Sequence, residues 1–224
     1  MSDKQPKSLW PDWGTTEDGR QYAPAAQRNK DFVLAELKNH MPKHGTVLEI
    51  ASGTGEQAVY FTPQLPNISW LPSDYEDNKL VSITAWLKHQ PCARVLPPIK
   101  IDTSANTWVC EEADFKTKIE PISAIVCINM IHIAPWAAGL GLLAGAGRIL
   151  QSGGVLFFYG PFMKGGEHTA PSNLAFDQRL KERDASWGLR DIDDVEKVAN
   201  SHGLILINTI EMPANNFVLV FEKQ

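Results

Sequence analysis

The chain has 224 residues, 43% apolar and 21% charged, with a formal net charge of −5. That apolar share supports a packed core and excludes a disordered chain, and the length suits one α/β domain. Lys and Arg are scattered, so the basic stripe that a nucleic-acid binder uses against phosphates is missing, and no nucleic-acid partner is expected.

The three cysteines, Cys92, Cys110 and Cys127, stand at no metal or redox spacing. Cys127 lies in an apolar run and reads as a small buried hydrophobe. His40, His44, His89, His168 and His202 form no ligand pattern, so no metal is expected. The first residues are polar, without the apolar stretch of a secretory signal. The longest apolar segment, 137–147, is too short and too rich in glycine to span a bilayer. These features lead us to expect a reduced, cytoplasmic protein that does not engage membranes. No signature of an oligomeric state is present.

Residues 1–21 read as a loose leader, with Trp10 and Trp13 as its candidates for folding back onto the body, and 22–224 as a single domain. Pro24 suits the first turn of a helix. Phe32, Val33, Leu34 and Leu37 continue that helix to His40, ahead of Pro42. Residues 46–50 predict a buried strand, 51–55 a glycine-bearing turn and 57–61 the start of a helix. A second strand at 68–71 runs out through Pro72 and Ser73 to Asp74. Residues 79–89 predict a helix with Leu80, Ile83 and Leu87 on one face. Residues 94–101 predict a third strand, whose Pro97 and Pro98 place it at an edge. The fourth, 122–128, is apolar throughout, as a central parallel strand is. An Ala- and Gly-rich helix at 136–150 suits close packing on a sheet and ends at Gly153 and Gly154. A fifth strand follows at 155–159, then polar helices at 173–184 and 193–201. Gly203 precedes a sixth strand at 204–210, and the last spans 217–221. Only residues 212–216 separate these two, so they pair as an antiparallel hairpin. Strands alternating with helices give an α/β fold: a seven-stranded, mostly parallel sheet with helices on both faces and a C-terminal antiparallel hairpin.

The most informative segment is 47–55, Val-Leu-Glu-Ile-Ala-Ser-Gly-Thr-Gly. It is a strand, a tight turn and the start of a helix, an arrangement that brings backbone close to a ligand and aims N–H groups at it. Gly53, Gly55 and Ala58 satisfy the dinucleotide pattern G-x-G-x-x-G/A. Asp74 follows about 20 positions later, where a carboxylate can accept both ribose hydroxyls, and Asp102 closes the third strand in the equivalent place. Two ligands fit, NAD(P) and S-adenosylmethionine. Glu49 favours the second: a carboxylate ahead of the loop suits a cationic methionine end and repels a pyrophosphate.

Glu49-x-Ala51-x-Gly53-x-Gly55 resembles motif I of the class I S-adenosylmethionine-dependent methyltransferases, D/E-x-G-x-G-x-G, with Ala51 where the first glycine usually stands. From Tyr22 onward, including the strand order, the chain is similar to that Rossmann-like fold. Five segments, 22–29, 129–136, 159–162, 187–191 and 212–216, resemble an uncharacterised methyltransferase-like family. The resemblance implies that Glu49, Ala51, Gly53 and Gly55 line the methionine and ribose end. It likewise implies Asp74 at the ribose, Asp102 with Thr103 at the adenine, Asn129 near the methionine or substrate, and Arg28 on the methionine carboxylate.

Methyl transfer needs a base only when the nucleophile arrives protonated. His132, just past the fourth strand, is the candidate, as a group able to titrate near neutral pH; Asp177 on a polar helix reads as solvated. Tyr22, Trp136, Tyr159 and Phe162 suit an apolar or aromatic substrate pocket, and Arg190, with Arg179 and Arg183, an anionic group. The leading expectation is an S-adenosylmethionine-dependent methyltransferase acting on a small molecule. A non-catalytic binder of the same cofactor is the second reading. An NAD(P)-dependent oxidoreductase is the third, for which no Tyr-x-x-x-Lys is present.

Overall fold

The computed structural model describes residues 14–224; Trp10 and Trp13 lie outside that range. Helices α1 (Pro24–His40), α2 (Glu56–Phe61), α3 (Asp77–His89), α4 (Ala113–Lys116), α5 (Trp136–Ile149), α6 (Pro171–Arg183) and α7 (Ile192–Ser201) surround the sheet. The strands are β1 (Gly45–Ile50), β2 (Ile68–Asp74), β3 (Ile99–Lys100), β4 (Ile122–Ile128), β5 (Val155–Gly160), β6 (Met163–Lys164), β7 (Glu167–His168), β8 (Leu204–Met212) and β9 (Asn216–Lys223). Seven form one sheet in the order β3-β2-β1-β4-β5-β9-β8, in which β9 runs antiparallel to both neighbours. The short hairpin β6-β7 is separate. Among the described residues no helix is long and apolar enough to cross a membrane.

Alternation along the strands sorts the core into two layers. Val47, Trp70, Val126 and Phe157 face α1 and α2, meeting Val33, Leu37 and Phe61. Leu48, Ile125, Leu156 and Phe221 face α5 and α7, meeting Leu142, Ala146 and Val195. The glycines of α5 permit close approach. A Cβ at Gly141 would stand 2.0 Å from the Thr103 carbonyl oxygen, so this helix presses directly on the loop after β3.

One expectation changes. The third strand shrinks to Ile99–Lys100, with an isolated bridge between Trp70 and Val95. Pro97 and Pro98 cannot donate, so the ladder breaks between the Leu96 N–H bond to Trp70 and the Ile101 N–H bond to Asp74. The end of the leader is anchored: Gln21 accepts from Trp86 Nε1 at 3.0 Å and donates to Ser82 Oγ at 2.8 Å, fastening the chain to α3.

The chain runs β1, β2, β3 to one side and then returns to β4 and β5 on the other. The switch falls between β1 and β4, where open α/β sheets bind ligands beyond the strand ends.

Candidate functional site

The turn after β1 is built from left-handed backbone: Ala51, Gly53 and Gly55 have φ of 56°, 58° and 83°. Gly55 is required on a second count, since a Cβ there would meet Ile83 Cα at 2.7 Å. A Cβ on Gly53 would meet nothing within 4 Å, so the open side of the turn is at that residue. Three bonds tie the turn to β2. Ser52 N–H donates to the Ser73 carbonyl at 2.8 Å, Ser73 N–H to Ser52 Oγ at 3.1 Å, and Gly53 N–H to Asp74 Oδ2 at 2.9 Å. Asp74 Oδ1 also accepts from Glu76 N–H at 3.0 Å. Burial pushes the Asp74 carboxyl up from its ordinary value, and those two N–H bonds oppose the shift.

Beside this turn lies a cavity of about 360 Å³. Ala51, Tyr75, Asp102, Thr103, Met130 and Pro135 are among its walls. Tyr75 is 63% exposed. Asp102 is exposed, and its Oδ1 accepts from Ser104 N–H at 2.9 Å and from the Ser104 hydroxyl. Thr103 is buried.

Of the expected cofactor residues, Ala51, Asp102 and Thr103 wall this cavity, while Asp74 is buried beside the turn and accepts from Gly53 N–H. Asn129 stands at the end of β4 in left-handed backbone (φ 58°), its N–H donating to the Tyr159 carbonyl at 2.8 Å. Glu49 is turned inward. It is 2% exposed and bonded to Trp70 Nε1 at 3.0 Å and to Ser52, and burial pushes its carboxyl up. Arg28 is exposed on α1.

The expected substrate aromatics do not form one pocket. Tyr22 packs edge-on against Trp86 of α3, with centroids 5.1 Å apart. Phe162 is wholly buried in the layer under α5 and α7. Tyr159 is buried in the opposite layer, its hydroxyl meeting Asn29, which accepts from Gln57 Nε2 at 2.8 Å. Trp136 instead lines a second cavity, of about 410 Å³, with Met163, Leu189, Arg190, Asp191 and Asp194. Arg190 turns its Nε and Nη2 donors to the carbonyls of Ile131, Ala134 and Ser186. Arg179 and Arg183 lie over Phe176 and Trp187 on their own segment.

His132 also departs from expectation. It is 2% exposed, its ring stands edge-on to Phe176 of α6 at 5.7 Å, and its Nδ1 has no partner among the described residues. Burial, with Arg190 nearby, pulls the imidazole down to about 3, so it is neutral at pH 7 and does not titrate there. Asp177, expected to be solvated, has a side chain only 3% exposed. It accepts from Leu189 N–H at 2.7 Å and Lys181 Nζ at 2.6 Å, pinning α6 to the segment before α7.

Sequence reasoning missed Tyr75, Met130 and Pro135 as cavity walls. The position of Tyr75 directly after Asp74 was the available signal. Glu56, the first residue of α2, was missed too. It is buried with Oε2 unpartnered, and burial pushes its carboxyl up against the opposing pull of Lys30 and Gln27. No sequence signal marks it. Among the described residues, no group of three or more His, Cys, Asp or Glu could hold a metal ion.

Several solved structures share this fold. An O-methyltransferase family protein from Burkholderia thailandensis aligns with a TM-score of 0.72 at 14% identity, covering 89% of this chain and 56% of that one. PigF, solved with SAH, aligns with a TM-score of 0.69 at 14% identity, covering 85% and 55%. A putative sarcosine dimethylglycine methyltransferase from Galdieria sulphuraria aligns with a TM-score of 0.70 at 12% identity, covering 94% and 92%. The chain spans just over half the length of the first two. At these identities the likeness shows the fold, that of Rossmann-like S-adenosylmethionine-dependent methyltransferases. A family model described as "Protein of unknown function (DUF938)" matches residues 20–223, and the chain belongs to that family.

Proposed function

We propose that this protein binds S-adenosylmethionine in the 360 Å³ cavity and methylates a small molecule. One observation carries the reading. The left-handed turn 51–55 is bonded to the buried Asp74 carboxyl, and Ala51 of that turn walls one cavity with Tyr75, Asp102 and Thr103 beyond the strand ends. The residues fit the group. The side of Gly53 is open, so a ligand can lie against the backbone. Asp74 retains lone pairs for hydroxyls, since each carboxylate oxygen here accepts only one N–H.

Ala51, Gly53 and Gly55 would carry the ribose and methionine end and Asp74 the ribose hydroxyls. Asp102 and Thr103 would meet the adenine, and the exposed Tyr75 ring would stack on it. Arg28, exposed on α1, would take the methionine carboxylate. When bound, the cofactor supplies an activated methyl group. Asn129 would orient what lies at the β4 end, and no proton transfer is assigned to His132, which is neutral, 2% exposed and in neither cavity wall. The acceptor must reach the methyl group within the same opening, where Met130, Ala134 and Pro135 supply apolar wall.

Calorimetric titration with S-adenosylmethionine, S-adenosylhomocysteine and NAD tests this. Micromolar binding of the first two without NAD is expected. Binding of NAD alone would overturn the reading in favour of an oxidoreductase.

A further inference from the structure

Arg190 was expected to hold an anion, and the structure turns its Nε and Nη2 donors inward. Nε donates to the Ile131 carbonyl at 3.1 Å, and Nη2 to the carbonyls of Ala134 at 2.7 Å and Ser186 at 2.9 Å. Its guanidinium carbon stands 5.4 Å from the centre of the Trp136 ring. Ile131 and Ala134 bracket the turn between β4 and α5. That turn carries His132 and follows Asn129. Met130, Ala134 and Pro135 of the same turn wall the 360 Å³ cavity. The backbone of Arg190 is itself fixed, its carbonyl accepting from Met163 N–H at 2.9 Å. The residue therefore stands between the second cavity, which it lines, and the wall of the first, which it braces.

We infer that Arg190 is a positioning residue for the cofactor cavity: it touches nothing bound there but sets the Met130–Pro135 wall by holding the carbonyls of Ile131 and Ala134. The inference rests on the reading of that cavity as the S-adenosylmethionine site. A planar guanidinium reaches three carbonyls in different directions, whereas a lysine ammonium is a single point on a flexible stem. Arg190→Lys keeps the charge and loses the brace. The charge of Arg190 also bears on His132 and is felt by Asp177 of α6.

The test compares wild type, Arg190→Lys and Arg190→Ala by S-adenosylhomocysteine calorimetry and by amide exchange in the ligand-free proteins. Both variants should bind the ligand about tenfold more weakly or worse. Faster exchange should be confined to residues 130–136 and the segment around Ser186. Millimolar guanidinium should restore binding to Arg190→Ala and leave Arg190→Lys unchanged. Wild-type affinity in Arg190→Lys overturns the inference. So does weakened binding accompanied by uniformly faster exchange throughout the chain, which marks a merely structural residue. If wild type binds no S-adenosylhomocysteine, the cofactor reading fails, and the exchange comparison still decides whether Arg190 holds the turn.

Discussion

Replacing Asp74 by Ala removes one carboxylate that serves two masters. In the free protein it accepts from Gly53 N–H at 2.9 Å and Glu76 N–H at 3.0 Å. In the complex it would also take the ribose hydroxyls. Bonds to a charged acceptor are worth about 1.5–3 kcal/mol each, and a stranded buried donor costs about 1–3 kcal/mol. Loss of one ribose bond alone then weakens binding by roughly 1.5–3 kcal/mol, about ten- to a hundredfold at 1.4 kcal/mol per decade. Slackening of the 51–55 turn adds to that. Asp74→Asn separates the two effects, because its amide oxygen still accepts one N–H while the negative charge is gone. Calorimetry with S-adenosylhomocysteine reads affinity, and thermal melting reads the turn. A dissociation constant for Asp74→Ala within threefold of wild type would refute the reasoning, since Asp74 would then only clamp the turn.

Three further outcomes follow from the geometry. Ala51 holds φ of 56° without being glycine, so Ala51→Gly should relieve about 1–2 kcal/mol of left-handed strain against about 0.4–1 kcal/mol of added unfolded-state entropy; a melting temperature lowered by the change would contradict this. His132 has a folded-state value near 3 against 6.5, so its contribution to stability is full above pH 6.5 and is lost as pH falls from 6.5 toward 3. Nitrogen NMR should show its ring neutral at pH 5, and a charged ring there would sink the assignment. Phe162→Ala should destabilise by about 3–5 kcal/mol as a core truncation while the folded protein keeps wild-type affinity for S-adenosylhomocysteine. Loss of binding without loss of stability would return Phe162 to the site.

The central place of 122–128 and 155–159 was legible because such apolar runs leave a central parallel strand as their simplest reading, whereas the strand order came only with the family resemblance. The turn at 51–55 was legible from its glycines, and Asp74 from its spacing. What failed has a common physical origin. Arg190 looked like an anion binder because backbone carbonyls, its actual acceptors, leave no mark in side-chain sequence. Asp177 looked solvated because α6 is polar, yet Asn173, Asp177 and Leu180 share a buried face. Phe162 and Tyr22 sit near motif positions in sequence, and packing against α7 and α3 took them elsewhere. Pro97 and Pro98 identified an edge correctly and still shortened the strand.

The most direct test is a crystal structure of the protein grown with S-adenosylhomocysteine. Density for the ligand between Ala51 and Tyr75, with the ribose at Asp74 and the adenine at Asp102 and Thr103, is the predicted result. Ligand seated instead against Trp136 and Met163, or a cavity at Ala51 and Tyr75 left closed at saturating ligand, would contradict the account.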